Sequence, residues 1–290
     1  MTIATHHAEL VPSRVLLDAA QRSGCAVAAL NFYNAETLRA HINAANSAGC
    51  ALILQTTEAT IHYLGLQMAV AMARTAAAEI TQPVALHLDH GASYELAARC
   101  IEAGYSSVMI DGSKLPFAEN VQLTRRVVEL AHAQNVSVEG ELGHVAHNED
   151  TPPQDFAQFF TRAADAARFV QETGVDALAV AIGTAHGFYQ GEVRLDFARL
   201  REIHAAVGHT ALVLHGGSGV PDELLQQAIA DGIRKINFGT ELKNAFTRAV
   251  KQSLLQSDEI DLRRTFAPAI AAVEAVSAAK MRVCNLGALA

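Results

Sequence analysis

Cysteine is scarce: Cys25, Cys50, Cys100 and Cys284 are the four in 290 residues, and no two form a CxxC pair. Neither a disulfide framework nor a zinc ribbon can be read from them, and reduced thiols in a cytoplasmic protein are the simplest expectation. The opening residues lack a basic stretch followed by an apolar one, and no later apolar run reaches bilayer-spanning length, so neither a leader nor a membrane partner is expected. Basic charge is short as well, with 22 Lys and Arg against 30 Asp and Glu and a formal net charge of -8. Duplex binding relies on cationic side chains neutralising phosphates, which excludes nucleic acid as an expected partner. Any phosphate-bearing ligand must then be held by local groups. No Pro/Ser-rich linker, composition break or tandem repeat divides the sequence, and residues 1–290 are expected to form one domain.

What is present is a regular alternation. Short β-rich runs at 26–32, 51–56, 84–89, 107–111, 137–143, 177–183, 210–216 and 235–239 predict strands. Helical patterns at 34–48, 61–78, 93–103, 116–134, 161–173, 196–206 and 222–231 separate them. Such alternation demands parallel strands joined by crossover helices. A doubly wound open sheet satisfies it too, but eight units in under 300 residues favour an α/β fold of the closed (β/α)8 TIM-barrel type.

A barrel builds its active site at the carboxyl ends of its strands. Those ends here include Asn31, Thr57, Asp89 with His90, Asp111, Glu141, His186 and His215. His90, His186 and His215 each follow an aliphatic run, whereas His6, His7, His41, His62, His132, His204 and His209 fall on a tail, helical patterns or loops and read as solvated. Three imidazoles with an open fourth position describe a catalytic zinc site rather than a structural one. Glycine-rich ends on strands six to eight, and the helix following Gly219, offer backbone N–H groups and a positive dipole end to a phosphate; simple turn glycines are the alternative. Zinc beside a phosphate grip, with Asp89 adjacent, suits polarisation of a substrate carbonyl and aldol chemistry. A Schiff-base route needs a rim lysine, but Lys235 is read as opening its strand at the far end, Lys243, Lys251 and Lys280 as helical, and Lys114 alone as near the rim.

The motifs HLDHG, MIDGSKLPFAENV, VEGELG, AVAIGTAHG, LHGGSG and INFGTELKNAF are specific as a set. Together they resemble the class II, zinc-dependent ketose-bisphosphate aldolases over residues 31–243, and more loosely to the C-terminus. The resemblance implies that His90, His186 and His215 hold Zn2+ and that Asp89 is the acid/base at the aldehyde oxygen. Asp111 and Glu141 become candidates for a second or alternative metal position, or else rim hydrogen-bonding residues. Glu149 falls where the family's loop acid exchanges the proton on the triose-phosphate carbon. Asn31 and Thr57 at the rim, with Gly187, Gly216, Gly217, Ser218, Asn237, Gly239 and Thr240, are implied to hold the phosphorylated sugar, and a monovalent cation (Na+ or K+) often accompanies that site. A homodimer or homotetramer is usual in the family.

Three departures bear on the sugar. Gln190 stands where many fructose-bisphosphate members carry lysine, and with the segment TELKNAF it resembles the tagatose-bisphosphate branch. Ala146 and His147 replace the usual glycine pair before the loop acid. The tail lacks a terminal arginine, leaving Arg263 as a candidate substitute at the distal phosphate. The expected reaction is reversible cleavage of a tagatose-type ketose 1,6-bisphosphate to dihydroxyacetone phosphate and glyceraldehyde 3-phosphate. A fructose-bisphosphate aldolase and an aldolase for a modified ketose 1-phosphate are alternatives within the class. Outside it stands a non-catalytic barrel subunit that assists an aldolase.

Overall fold

The computed structural model describes residues 9–145, 159–189 and 191–285. Its strands are β1 (Val27–Asn31), β2 (Leu52–Thr57), β3 (Val84–Gly91), β4 (Ser107–Ile110), β5 (Ser137–Leu142), β6 (Ala177–Val180), β7 (Ala211–Leu214) and β8 (Ile233–Phe238). They pair in parallel and in chain order, and β8 closes on β1 with Val27 opposite Lys235, giving a closed barrel. The helices are α1 (Ser13–Ser23), α2 (Ala35–Ala48), α3 (Glu58–Leu64), α4 (Leu66–Glu79), α5 (Tyr94–Ala103), α6 (Phe117–His132), α7 (Ala163–Thr173), α8 (Phe197–Val207), α9 (Asp222–Ala230), α10 (Thr240–Gln256) and α11 (Leu262–Cys284). The expected (β/α)8 architecture is the one observed.

The differences from the sequence reading have local causes. The helix expected over 61–78 is two helices, because Gly65 has φ 86° and ψ 136° and breaks the ladder between α3 and α4. Strands β6 and β7 stop short of the glycines that end their motifs. At Gly216, φ is 67° and a Cβ would lie 2.5 Å from the Ala185 carbonyl oxygen, so the chain turns out of the sheet where only glycine fits. Helix α1, unanticipated, packs against β1, β3, β7 and β8. Its Leu16, Leu17 and Ala20 join inward residues such as Ala29, Ile53, Ala179 and Val213 in an apolar plug inside the barrel. Because side chains alternate along a strand, the same inward rows run on from this plug into polar residues: Ala29 to Asn31, Ile53 to Gln55, Ala85 to His87 and Asp89, and Val213 to His215. One end of the barrel interior is thus apolar and closed, and the other polar.

His41 is not the solvated residue its helical setting implied. It is fully buried where α2 meets α11, donating from Nε2 to the Asn31 carbonyl (3.2 Å) and accepting at Nδ1 from Ser277 Oγ (2.9 Å). Burial, only partly offset by the Asn31 hydrogen bond, lowers its pKa to about 4. An unfolded histidine titrates near 6.5. Between those values the unfolded chain binds a proton that the fold excludes, so this contribution is complete above about pH 6.5 and is lost as pH falls towards 4. At roughly 1.4 kcal/mol per pH unit the loss is about 3 kcal/mol. Urea melts of wild type and His41→Gln between pH 7 and 4 should show the smaller acid sensitivity in the variant; equal slopes would remove His41 as a cause.

Candidate active site

A cleft of about 720 Å³ opens at the carboxyl end of the barrel, lined by Asn31, Thr57, Asp89, His90, Asp111, Glu141, His186 and the β7 and β8 loops. The three histidines come together at its floor: His90 and His186 line the cleft, and His215 is fully buried against His90. Ring centroids are 5.0 Å apart for His90 and His186, 4.6 Å for His90 and His215, and 6.1 Å for His186 and His215. One ligand atom from each lies within 4.8 Å of the others, and His90, Asp111 and Glu141 form a second such group.

Partners of the outer ring nitrogens determine what each imidazole can offer. His90 sits in the left-handed region at φ 52°, an uncommon conformation for a residue with a Cβ, and this turns its ring into the cleft. Its Nδ1 meets Asp111 Oδ2 at 2.9 Å, while Asp111 Oδ1 accepts from the Ser113 amide and hydroxyl. His215 Nε2 meets Glu139 Oε1 at 2.8 Å. Among the described residues, the inner atoms, His90 Nε2 and His215 Nδ1, are buried without a hydrogen-bond partner, as is Glu141 Oε2. Orphaned buried nitrogens on rings whose opposite nitrogens are fixed by carboxylates fit a divalent metal such as zinc. Burial, then the charges of His90 and Lys235, lowers the His215 pKa well below the usual imidazole value. Burial alone would lower His90, but the Asp111 hydrogen bond and the nearby carboxylates raise it to about 9. Asp111, despite its burial, is held low by that same bond, whereas burial and the Asp111 charge push Glu141 up to about 8.

Asp89 is gripped by amides. Asn31 Nδ2 and Gln55 Nε2 donate to Oδ2 at 3.0 and 3.3 Å, and Asn237 Nδ2 donates to Oδ1 at 3.0 Å. Burial opposes its charge, but the positive neighbours, His90 first, and the Asn31 bond outweigh it and hold the carboxyl below its ordinary value. Asn31 and Asn237, expected to hold the phosphorylated sugar, line the cleft and give their amide N–H groups to this carboxylate. Gln55 was missed, though a glutamine alternating with Ile53 in an apolar strand was the available signal.

Of the expected phosphate residues, Gly187, Gly216, Ser218, Gly239 and Thr240 line the cleft, whereas Gly217 does not and gives its N–H to the Asn237 carbonyl. Beside the β7 and β8 loops, the helix start that reaches the cleft is that of α10, through Thr240, whereas the first residues of α9, Asp222 and Glu223, do not line it. Ser218 Oγ accepts from the Gly239 and Glu241 amides, tying the β7 loop to that helix start. The Thr57 hydroxyl caps α3.

The lysines require correction. Lys243, although helical, lines the cleft with Lys114, its ammonium 5.8 Å from the Tyr33 ring centroid. Lys235 is the third residue of β8 rather than its far end, and its Nζ lies inside the barrel 2.7 Å from Glu139 Oε2. Arg263 does not line the cleft and pairs with Asp261 on the surface. Glu149, Gln190, Ala146 and His147 lie outside the described residues. Among the described residues, no helix is long and apolar enough to cross a membrane.

Comparison with solved structures finds the YdjI aldolase of Escherichia coli K12 at 33% identity and TM-score 0.84, over 95% of this chain and 97% of that one. A fructose-bisphosphate aldolase of Campylobacter jejuni shares the fold at 21% identity and TM-score 0.80, over 97% of each chain. The family model described as fructose-bisphosphate aldolase class-II matches residues 11–287. Spanning the whole barrel from before α1 to beyond α11, that match makes the chain a member of the class II fructose-bisphosphate aldolase family, and the protein an aldolase.

Proposed function

We propose that the protein is a zinc-dependent aldolase that reversibly cleaves a ketose 1,6-bisphosphate, tagatose-type in preference to fructose-type, to dihydroxyacetone phosphate and glyceraldehyde 3-phosphate. The observation that carries this reading is the pair of imidazole nitrogens without a hydrogen-bond partner among the described residues, His90 Nε2 and His215 Nδ1, on rings 4.6 Å apart at the cleft that the amide-held Asp89 carboxylate lines. His90, His186 and His215 would hold the metal, with Asp111 and Glu141 forming the second group beside His90. Bound zinc supplies Lewis-acid polarisation of the substrate carbonyl, worth several kcal/mol.

The chain's own residues handle the protons and the phosphate. Asp89, charged and oriented by Asn31, Gln55 and Asn237, takes the C4 hydroxyl proton as the C3–C4 bond breaks and returns it to the aldehyde oxygen in synthesis. Glu149 delivers the proton to the triose-phosphate carbon. The loops carrying Gly187, Gly216, Ser218 and Gly239, with the α10 start at Thr240, offer backbone donors and a dipole end to the ketone-side phosphate.

The sugar preference rests on Gln190 in place of a frequent lysine and on the segment TELKNAF. Measured under one set of conditions, kcat/KM should be higher for tagatose than for fructose bisphosphate, and Gln190→Lys should narrow the gap. A wild-type preference for fructose bisphosphate would overturn the sugar and leave the aldolase reading intact.

A further inference from the structure

Below the histidine triad the barrel interior carries a line of polar contacts that the aldol reaction does not use directly. His215 Nε2 meets Glu139 Oε1 at 2.8 Å, and Glu139 Oε2 accepts from Lys235 Nζ at 2.7 Å. Lys235 Nζ also lies 3.4 Å from His87 Nε2, and His87 Nδ1 meets Ser107 Oγ at 2.7 Å. Ser107 Oγ is in turn 2.8 Å from Ser13 Oγ on α1. Every member is buried, and Lys235, His87, Ser107 and His215 are fully so.

Donor and acceptor roles along this line assign a tautomer to each imidazole. An ammonium only donates, so His87 accepts at Nε2 and carries its proton on Nδ1, which donates to Ser107. A carboxylate only accepts, so His215 must hold its proton on Nε2, leaving the Nδ1 lone pair directed at the site where His90 presents Nε2. Without Lys235, Glu139 would be a buried charge with no cation, a situation proteins avoid.

We propose that Glu139, held in place by Lys235 and through it by His87, is the positioning residue that commits His215 to ligation through Nδ1. The proposal rests on the zinc reading of the triad. Glu139 and Lys235 touch neither substrate nor metal; they fix the tautomer and direction of a ring that does. His90 has its own carboxylate in Asp111, so two imidazoles are oriented independently, one from the rim and one from the barrel interior.

The test compares wild type, Glu139→Gln, Lys235→Met and the double variant. Zinc affinity is measured by competition with a chromophoric chelator, the ligand field by visible absorption of the cobalt-substituted protein, and stability by thermal melting. Glu139→Gln should weaken zinc binding by about 10–100-fold, the usual effect of losing such a carboxylate, and should alter the cobalt spectrum. Lys235→Met should lower the melting temperature most, because it strands the Glu139 charge. The double variant removes both charges, which buried pairs often tolerate. It should regain melting temperature while its zinc affinity stays at least about tenfold weak. Wild-type affinity in a folded double variant would reduce the line to a structural ion pair and overturn the proposal. So would an unchanged affinity and cobalt spectrum in Glu139→Gln, which decides alone if the double variant does not fold. A wild-type protein that takes up no zinc would instead overturn the reading of the triad, and this inference with it.

Discussion

Asp89→Ala should lower the cleavage rate by about 10²–10⁴-fold, the range for a positioned acid/base, while retaining the fold and the proposed zinc. Asp89 is nearly buried at 5% exposure, yet its two oxygens take three amide hydrogen bonds. Those bonds stabilise the charged form and fix the direction of the carboxylate. The closest approach of Asp89 to an imidazole nitrogen of His90 is 4.0 Å, beyond hydrogen-bond distance, so removing it takes no hydrogen bond from the proposed ligands. Asn31, Gln55 and Asn237 would be left with unmatched donors, and a modest loss of stability is expected alongside the rate loss. Turnover and zinc content measured on the same preparation separate the roles. Unchanged turnover, or zinc loss in proportion to rate loss, would reassign Asp89 to structure or to ligation.

The barrel was legible because parallel strands covered on both sides are written as near-continuous apolar runs. The apolar run from Pro83 to Leu86 needs no tertiary information to be read as a strand, and the end of that strand in Asp89 and His90 marks the rim. Lys235 was harder to place. A lysine near the start of an apolar run looks like a solvent-facing strand end, and only the pairing of Val27 with Lys235, and the depth of Glu139 opposite, show it to be interior. His41 and Gln55 share that difficulty, since their partners lie on elements distant in sequence. Ser277 is 236 residues from His41, and Asp89 is 34 residues from Gln55. Short-range pattern reports which face of an element is apolar, not which distant polar group completes a buried hydrogen bond. The amide grip on Asp89 was hidden for the same reason: Asn31 and Asn237 stand at the rim in the sequence, but nothing local shows that their amide nitrogens are turned to the Asp89 carboxylate.

Chelation of the wild-type enzyme should abolish turnover, zinc should restore it, and His186→Ala should be inactive with or without added zinc. A catalytic zinc site uses three protein ligands and keeps the fourth position open. Of the three proposed ligands, His186 is carried on the loop after β6, whereas His90 belongs to β3 and His215 directly follows β7. Deleting it leaves His90 and His215 aimed by Asp111 and Glu139, but two imidazoles do not make that site. Melting provides a readout independent of turnover. A metal bound only by the folded state adds about 2.7 kcal/mol of stability at a hundred times its Kd, so zinc should raise the melting temperature of wild type and leave that of His186→Ala nearly unchanged. Cleavage activity retained in a demonstrably zinc-free preparation, or an undiminished zinc-dependent rise in His186→Ala, would sink the metal reading. The barrel, the amide grip on Asp89 and the family membership would be untouched, and the rim lysines Lys114 and Lys243 would then be the cations to examine for a different aldol chemistry.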